Sequence, residues 1–174
     1  MQSELHPDPG AGQVRPDALP RPYATDAVAN QSETVARTDA MRPQVPQGMT
    51  ATLFATGLSG PREMLVLPDR SILVSEPGAG RVSRLVAPNP PARARAMPFL
   101  TGLDEPYGMT LRRDALYIAD LDGLWRVPYA AGDAKAQAKP QRITPEGAFD
   151  GGNGHHSRNV IWDPASDRFF VSIG

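Results

Sequence analysis

Phe54-Ala55-Thr56-Gly57-Leu58, with Pro61 and Met64 behind it, returns as Phe99-Leu100-Thr101-Gly102-Leu103, with Pro106 and Met109, each position shifted by 45. Ile72-Leu73-Val74-Ser75-Glu76 matches Leu116-Tyr117-Ile118-Ala119-Asp120 at a shift of 44. A third copy begins later: Leu65-Val66-Leu67-Pro68 matches Ile161-Trp162-Asp163-Pro164 at a shift of 96, and runs on into Phe169-Phe170-Val171-Ser172-Ile173. Unrelated strands and turns rarely keep Phe, Thr-Gly-Leu, Pro and Met in one register. A repeat of about 40 to 50 residues carrying short strands is the sequence signature of a β-propeller blade.

Within the first copy, Thr50–Ala55, Met64–Leu67, Ile72–Glu76 and Arg81–Leu85 read as four short strands. Each is closed by a Gly or Pro turn, at Gly57–Pro61, Pro68–Ser71 and Gly78–Gly80, and nothing has helical spacing. This predicts an all-β chain: about two and a half propeller blades of four-stranded antiparallel sheet over residues 49–174, stopping after the second strand of the third repeat. A ring needs at least about four blades. The reading therefore expects the N-terminal portion of a longer protein, unstable or dependent on a partner as it stands. Residues 1–48, rich in Pro, Ala, Asp and Gln, show no period of 2 or 3.6 and predict an extended arm, disordered through about Pro16.

The composition agrees: 19 prolines and 16 glycines in 174 residues suit short strands and many turns. A net charge of −1 gives no electrostatic footprint for nucleic acid or an anionic membrane. With no cysteine there is no disulfide framework, thiolate nucleophile or cysteine zinc site. No apolar run is long enough to span a membrane, and Met1–Pro20 lack the apolar core of a signal peptide.

Two of the three histidines lie together in Gly151-Gly152-Asn153-Gly154-His155-His156-Ser157-Arg158-Asn159-Val160, where the third copy starts. Proton chemistry near neutral pH would run through His155 or His156. Neighbouring side chains in an extended segment face opposite ways, so one of the pair can face the channel and the two make a poor metal chelate. Arg62, Tyr107 and Arg158 share one repeat position, at the entrance to each blade's first strand. Two guanidiniums and a phenol at one mouth suit a planar polyanionic ligand. They equally suit strand caps or pairing with Asp104 or Glu105. His155, three residues ahead of Arg158, is placed to take a proton from a substrate hydroxyl. Asp120-Leu121-Asp122-Gly123 has the start of a calcium loop without its later ligands, and reads as a hairpin turn. Arg93-Ala94-Arg95 reads as a solvated loop between blades.

Gly154-His155-His156-Ser157-Arg158-Asn159, with Asp163-Pro164 and Phe170-Val171-Ser172-Ile173-Gly174, resembles the Gly-His-x-x-Arg-Asn motif and Tyr-Val-Ser-x-Gly strand of the soluble quinoprotein glucose/sorbosone dehydrogenase family. Pro61-Arg62-x-Met64, Glu76-x-x-Ala79-Gly80-Arg81-Val82 and Pro106-Tyr107-Gly108 are similar to that family too. The likeness runs over roughly residues 19–174. It implies a six-bladed propeller holding pyrroloquinoline quinone (PQQ) and calcium over the central channel. It also implies oxidation of sugars, polyols or aldehydes in the periplasm or outside the cell. By position His155 matches the family's general base, while His156 falls where the family varies. Gly154 stands where some glucose-oxidising members carry an acid. The calcium ligands are implied downstream of residue 174, so the resemblance implies that this fragment alone neither holds the cofactor tightly nor turns over. A non-catalytic secreted propeller and a lactonase-like, metal-dependent propeller hydrolase are the alternatives.

Overall fold

The computed structural model describes residues 17, 19–22, 24, 33, 35–38, 40–87, 93–149 and 155–174. The chain divides into two units, Met1–Pro43 and Gln44–Gly174. In the first unit the described residues form no strand and are exposed, with turns closed by Ala24 N–H to Arg21 O and Met41 N–H to Thr38 O. The disorder expected through Pro16 falls outside the described residues.

The second unit is all-β, as the repeat predicts. Among the described residues ten strands run β1 (Met64–Val66), β2 (Ile72–Glu76), β3 (Arg81–Val86), β4 (Arg95–Thr101), β5 (Met109–Arg112), β6 (Ala115–Ala119), β7 (Leu124–Pro128), β8 (Gln141–Arg142), β9 (Arg158–Asp163) and β10 (Arg168–Ile173). They form two four-stranded antiparallel sheets, β1-β2-β3-β4 and β5-β6-β7-β8, and the pair β9-β10. Each sheet is a blade whose strands follow chain order from its first strand outward. The first strands stand side by side: β5 lies against both β1 and β9.

The strand expected at Thr50–Ala55 is not formed. The first blade takes Arg95–Thr101 as its fourth strand instead, so Arg95 belongs to a strand and Ala94 beside it is buried. Phe54 O accepts a hydrogen bond from Ala94 N–H at 2.8 Å, while Ala55 and Leu58 pack against Val74, Leu85 and Ala94 on one face of the blade. Side-chain packing on a sheet face, not ladder pairing, therefore fixes this segment.

Period-2 alternation carries the packing. In β2, Leu73 points toward the second blade and Val74 to the opposite face. In β6 every residue is buried, because Leu116 and Ile118 face the first blade while Ala115, Tyr117 and Ala119 face the third. The main core is thus an interblade layer, with Leu67, Leu73, Val82, Phe99 and Leu103 meeting Met109, Leu116, Ile118 and Val127. The loop between β7 and β8 reaches back across it. Ala136 packs on that layer and its N–H donates to Phe99 O at 2.8 Å, on the outermost strand of the first blade. Among the described residues no helix is long and apolar enough to cross a membrane.

Candidate functional site

The repeat brings equivalent residues to one place because the first strands converge. Arg62 N–H donates to Ser75 O in the first blade, and Tyr107 N–H to Ala119 O in the second, at the same rung. Gly108 N–H donates to Arg158 O at 2.8 Å, joining the second blade to the third. A Cβ on Gly108 would stand 2.5 Å from Val160 N and 2.6 Å from Asn159 Cα, so only a glycine admits this approach.

In the first two blades the turn ahead of the first strand is fastened by a carboxylate at the end of the second strand. Glu76 is fully buried and accepts from Ser59 N–H, Ser83 Oγ–H and the Arg81 fork. Burial pushes its carboxyl up, but the bonds from Arg81, Ser83 and Ser59 outweigh it and hold it below the ordinary glutamate value. At the equivalent position Asp120, also fully buried, accepts from the N–H groups of Asp104, Asp122 and Gly123. Here burial prevails over those bonds and raises the carboxyl above the ordinary aspartate value. Asp120-Leu121-Asp122-Gly123 is a side-chain-capped turn, as expected.

These fastened turns carry residues 60 and 105, one repeat position in left-handed backbone: Gly60 at φ 58° and Glu105 at φ 47°. Glycine takes that conformation freely, whereas a side chain there costs about 1–2 kcal/mol. His156 occupies the same repeat position in the third copy, and its Nδ1 lies 2.7 Å from Glu105 Oε2. With side-chain exposures of 56% and 37%, this pair contributes about 0.2–1 kcal/mol, no more than the backbone strain costs.

Arg62, Pro77, Glu105, Tyr107, His156 and Ser157 line one cavity of about 240 Å³. Two of the three residues grouped by the repeat, Arg62 and Tyr107, therefore meet there. Arg158 is placed otherwise: it is buried, and Nη1 donates to His155 O at 2.9 Å and Ser157 O at 3.0 Å, while Nη2 reaches Phe149 O at 3.4 Å. Its Nε has no partner among the described residues. The guanidinium thus braces the backbone of the histidine turn. His155 is exposed and is not among the cavity's lining residues, whereas His156 is. Gly151–Gly154 lie outside the described residues. Aligning the copies on Arg62, Tyr107 and Arg158 does not pair Glu105 with His156, although the same shifts of 45 and 96 align both with Gly60.

Among the described residues no three His, Asp or Glu side chains cluster to hold a metal ion.

No protein-family model and no curated protein matches the chain. Among solved structures it is similar to a calcium structure of Trichoderma reesei Carbohydrate-Active Enzymes Family AA12, with a TM-score of 0.56 and 16% identity. The match covers 69% of this chain and 31% of that one, so the chain spans about a third of the neighbour's length. At this identity the likeness is one of fold.

Proposed function

We propose that the chain is part of a quinone-dependent sugar or aldehyde dehydrogenase of the sorbosone or aldose type, working in the periplasm or outside the cell. The observation that carries the reading is that successive blades deliver Arg62, Tyr107 and the turn bearing His155 and His156 to one mouth. The resemblance of that turn to the Gly-His-x-x-Arg-Asn motif and the fold shared with a carbohydrate-active enzyme support it.

Arg62 and Tyr107 fit an anionic planar cofactor such as PQQ, the guanidinium as a forked donor to carboxylates and the phenol as donor or ring face. The cavity of about 240 Å³ lies below the usual ligand-site range of about 300–1,000 Å³, so it suits one edge of such a group. When bound, the quinone supplies the two-electron acceptor. The described residues supply no ligand set for calcium, and no step is derived through it. His155 takes the proton of the substrate hydroxyl or aldehyde hydrate. Arg158, by gripping the carbonyl oxygens of His155 and Ser157, fixes the backbone from which that imidazole works.

Dye reduction by the full-length gene product, supplied with PQQ and calcium ions, against a panel of aldoses and ketoaldehydes, tests this. His155→Ala should lower kcat by about 10²-fold or more, and His156→Ala should act mainly through KM. The reverse order would transfer the proton step to His156. Full activity in both variants, or no activity in the unaltered full-length protein, would sink the enzyme reading.

A further inference from the structure

We propose that Glu105 is a positioning residue, which holds the His156 imidazole as its Nδ1–H tautomer and so presents Nε2 as a hydrogen-bond acceptor to a ligand hydroxyl in the cavity.

The argument starts from one repeat position in three blades. The first blade puts glycine there, at Gly60, in left-handed backbone; the second keeps that backbone but carries Glu105. The conformation calls for glycine, so the carboxylate needs a reason of its own. Its partner is His156 Nδ1 at 2.7 Å, the residue at the same repeat position in the next blade. An exposed imidazole–carboxylate contact is a poor return for a strained backbone as far as folding goes. As a way of setting one ring at the edge of a cavity, it has a consequence that glycine cannot supply.

The tautomer follows from the donor inventory. An ionised carboxylate only accepts, so a neutral imidazole paired with it carries its proton on Nδ1 and leaves the Nε2 lone pair free. Both residues line the cavity with Arg62 and Tyr107. The site then offers an oriented acceptor at His156 beside a guanidinium donor at Arg62, a pairing matched by a polyhydroxylated molecule that donates through one oxygen and accepts through another. That ligand class rests on the dehydrogenase reading; the tautomer does not.

The deciding measurement is the pair of ¹⁵N shifts of the His156 ring in the labelled 174-residue chain at mildly alkaline pH, assigned with His156→Gln. It needs no quinone, calcium or turnover, so it can fail while the dehydrogenase reading stands, and the reverse. The unaltered protein should show Nδ1 as the protonated nitrogen. Glu105→Gly should move the ring toward the Nε2–H form while melting no lower, and about 2–4 °C higher where the strain is relieved. Glu105→Asn tolerates left-handed backbone but is one methylene too short for the ring, so it should repeat the tautomer change and serves should the glycine variant fold poorly. A predominantly Nε2–H ring in the unaltered protein would overturn the proposal. So would an unchanged ring in both variants, or a loss of several degrees in Glu105→Gly, which would make Glu105 a structural residue.

Discussion

Gly108 shows how much one missing methyl group can decide. It sits where the second blade's first strand meets the third's, and its N–H bonds directly to Arg158 O. Its φ is not left-handed, so the requirement is for space alone. Gly108→Ala sets a carbon against backbone atoms of Asn159 and Val160 that cannot rotate aside. It should cost about 1–3 kcal/mol, the usual penalty of overpacking, read as a lowered midpoint in urea. The tryptophan fluorescence of Trp162, in the third blade, should change at lower denaturant than that of Trp125 in the second. This requirement is invisible in the sequence, where Gly108 is one glycine among 16. The opposite holds for Arg62 and Tyr107: aligning the copies placed both at one mouth. Arg158 shares their repeat position, but that alignment could not show its fork closing on three carbonyl oxygens, because side-chain direction depends on the turn before it.

At the level of strands and turns, the three hairpins joining first to second strands share a device. Each carries a non-glycine residue in left-handed backbone, Arg70, Arg113 and Asp167, with φ of 66°, 54° and 53°. In the third hairpin this residue also ties two blades together. The Asp167 carboxylate accepts both arms of the Arg112 fork, at 2.8 and 2.6 Å, and the Trp162 indole N–H at 3.1 Å. Those contacts, Arg112 first and then Trp162, lower its carboxyl to about 2 from 3.8. A carboxyl depressed by folding stabilises above its unfolded value and loses that contribution as pH falls through the folded one. Asp167→Asn keeps the turn conformation and removes the charge. It should melt below the unaltered protein at neutral pH, with the gap closing between about pH 4 and pH 2. The short strands and their closing turns were legible in the sequence, because alternation and Gly/Pro punctuation are local signals. The assignment of Thr50–Ala55 as a strand failed for a nonlocal reason. That run has a strand's composition, but Arg95–Thr101 holds the ladder position and leaves it to pack on a sheet face.

Across the whole molecule, the same repeat position can be core or surface according to what stands beside it. Leu65 and Leu73 pack toward the second blade; their counterparts in the third copy, Ile161 and Phe170, are 60% and 54% exposed. Met109 and Leu111 pack on the first blade, whereas the corresponding Met64 and Val66 are 67% and 65% exposed. Leu73→Ala should therefore destabilise by about 2–5 kcal/mol. Phe170→Ala, at the matching position of the third copy, should change the unfolding free energy by about 0.5 kcal/mol or less. Equal losses at the two sites would mean that Phe170 is covered in solution.

The contact between Ala136 N–H and Phe99 O carries one more consequence. An outermost strand with free amide and carbonyl groups is a template onto which foreign chains can anneal. By laying its own loop along β4, the protein spends part of that template internally. Ala136→Pro, which removes the donated N–H, would accordingly leave β4 open to such annealing.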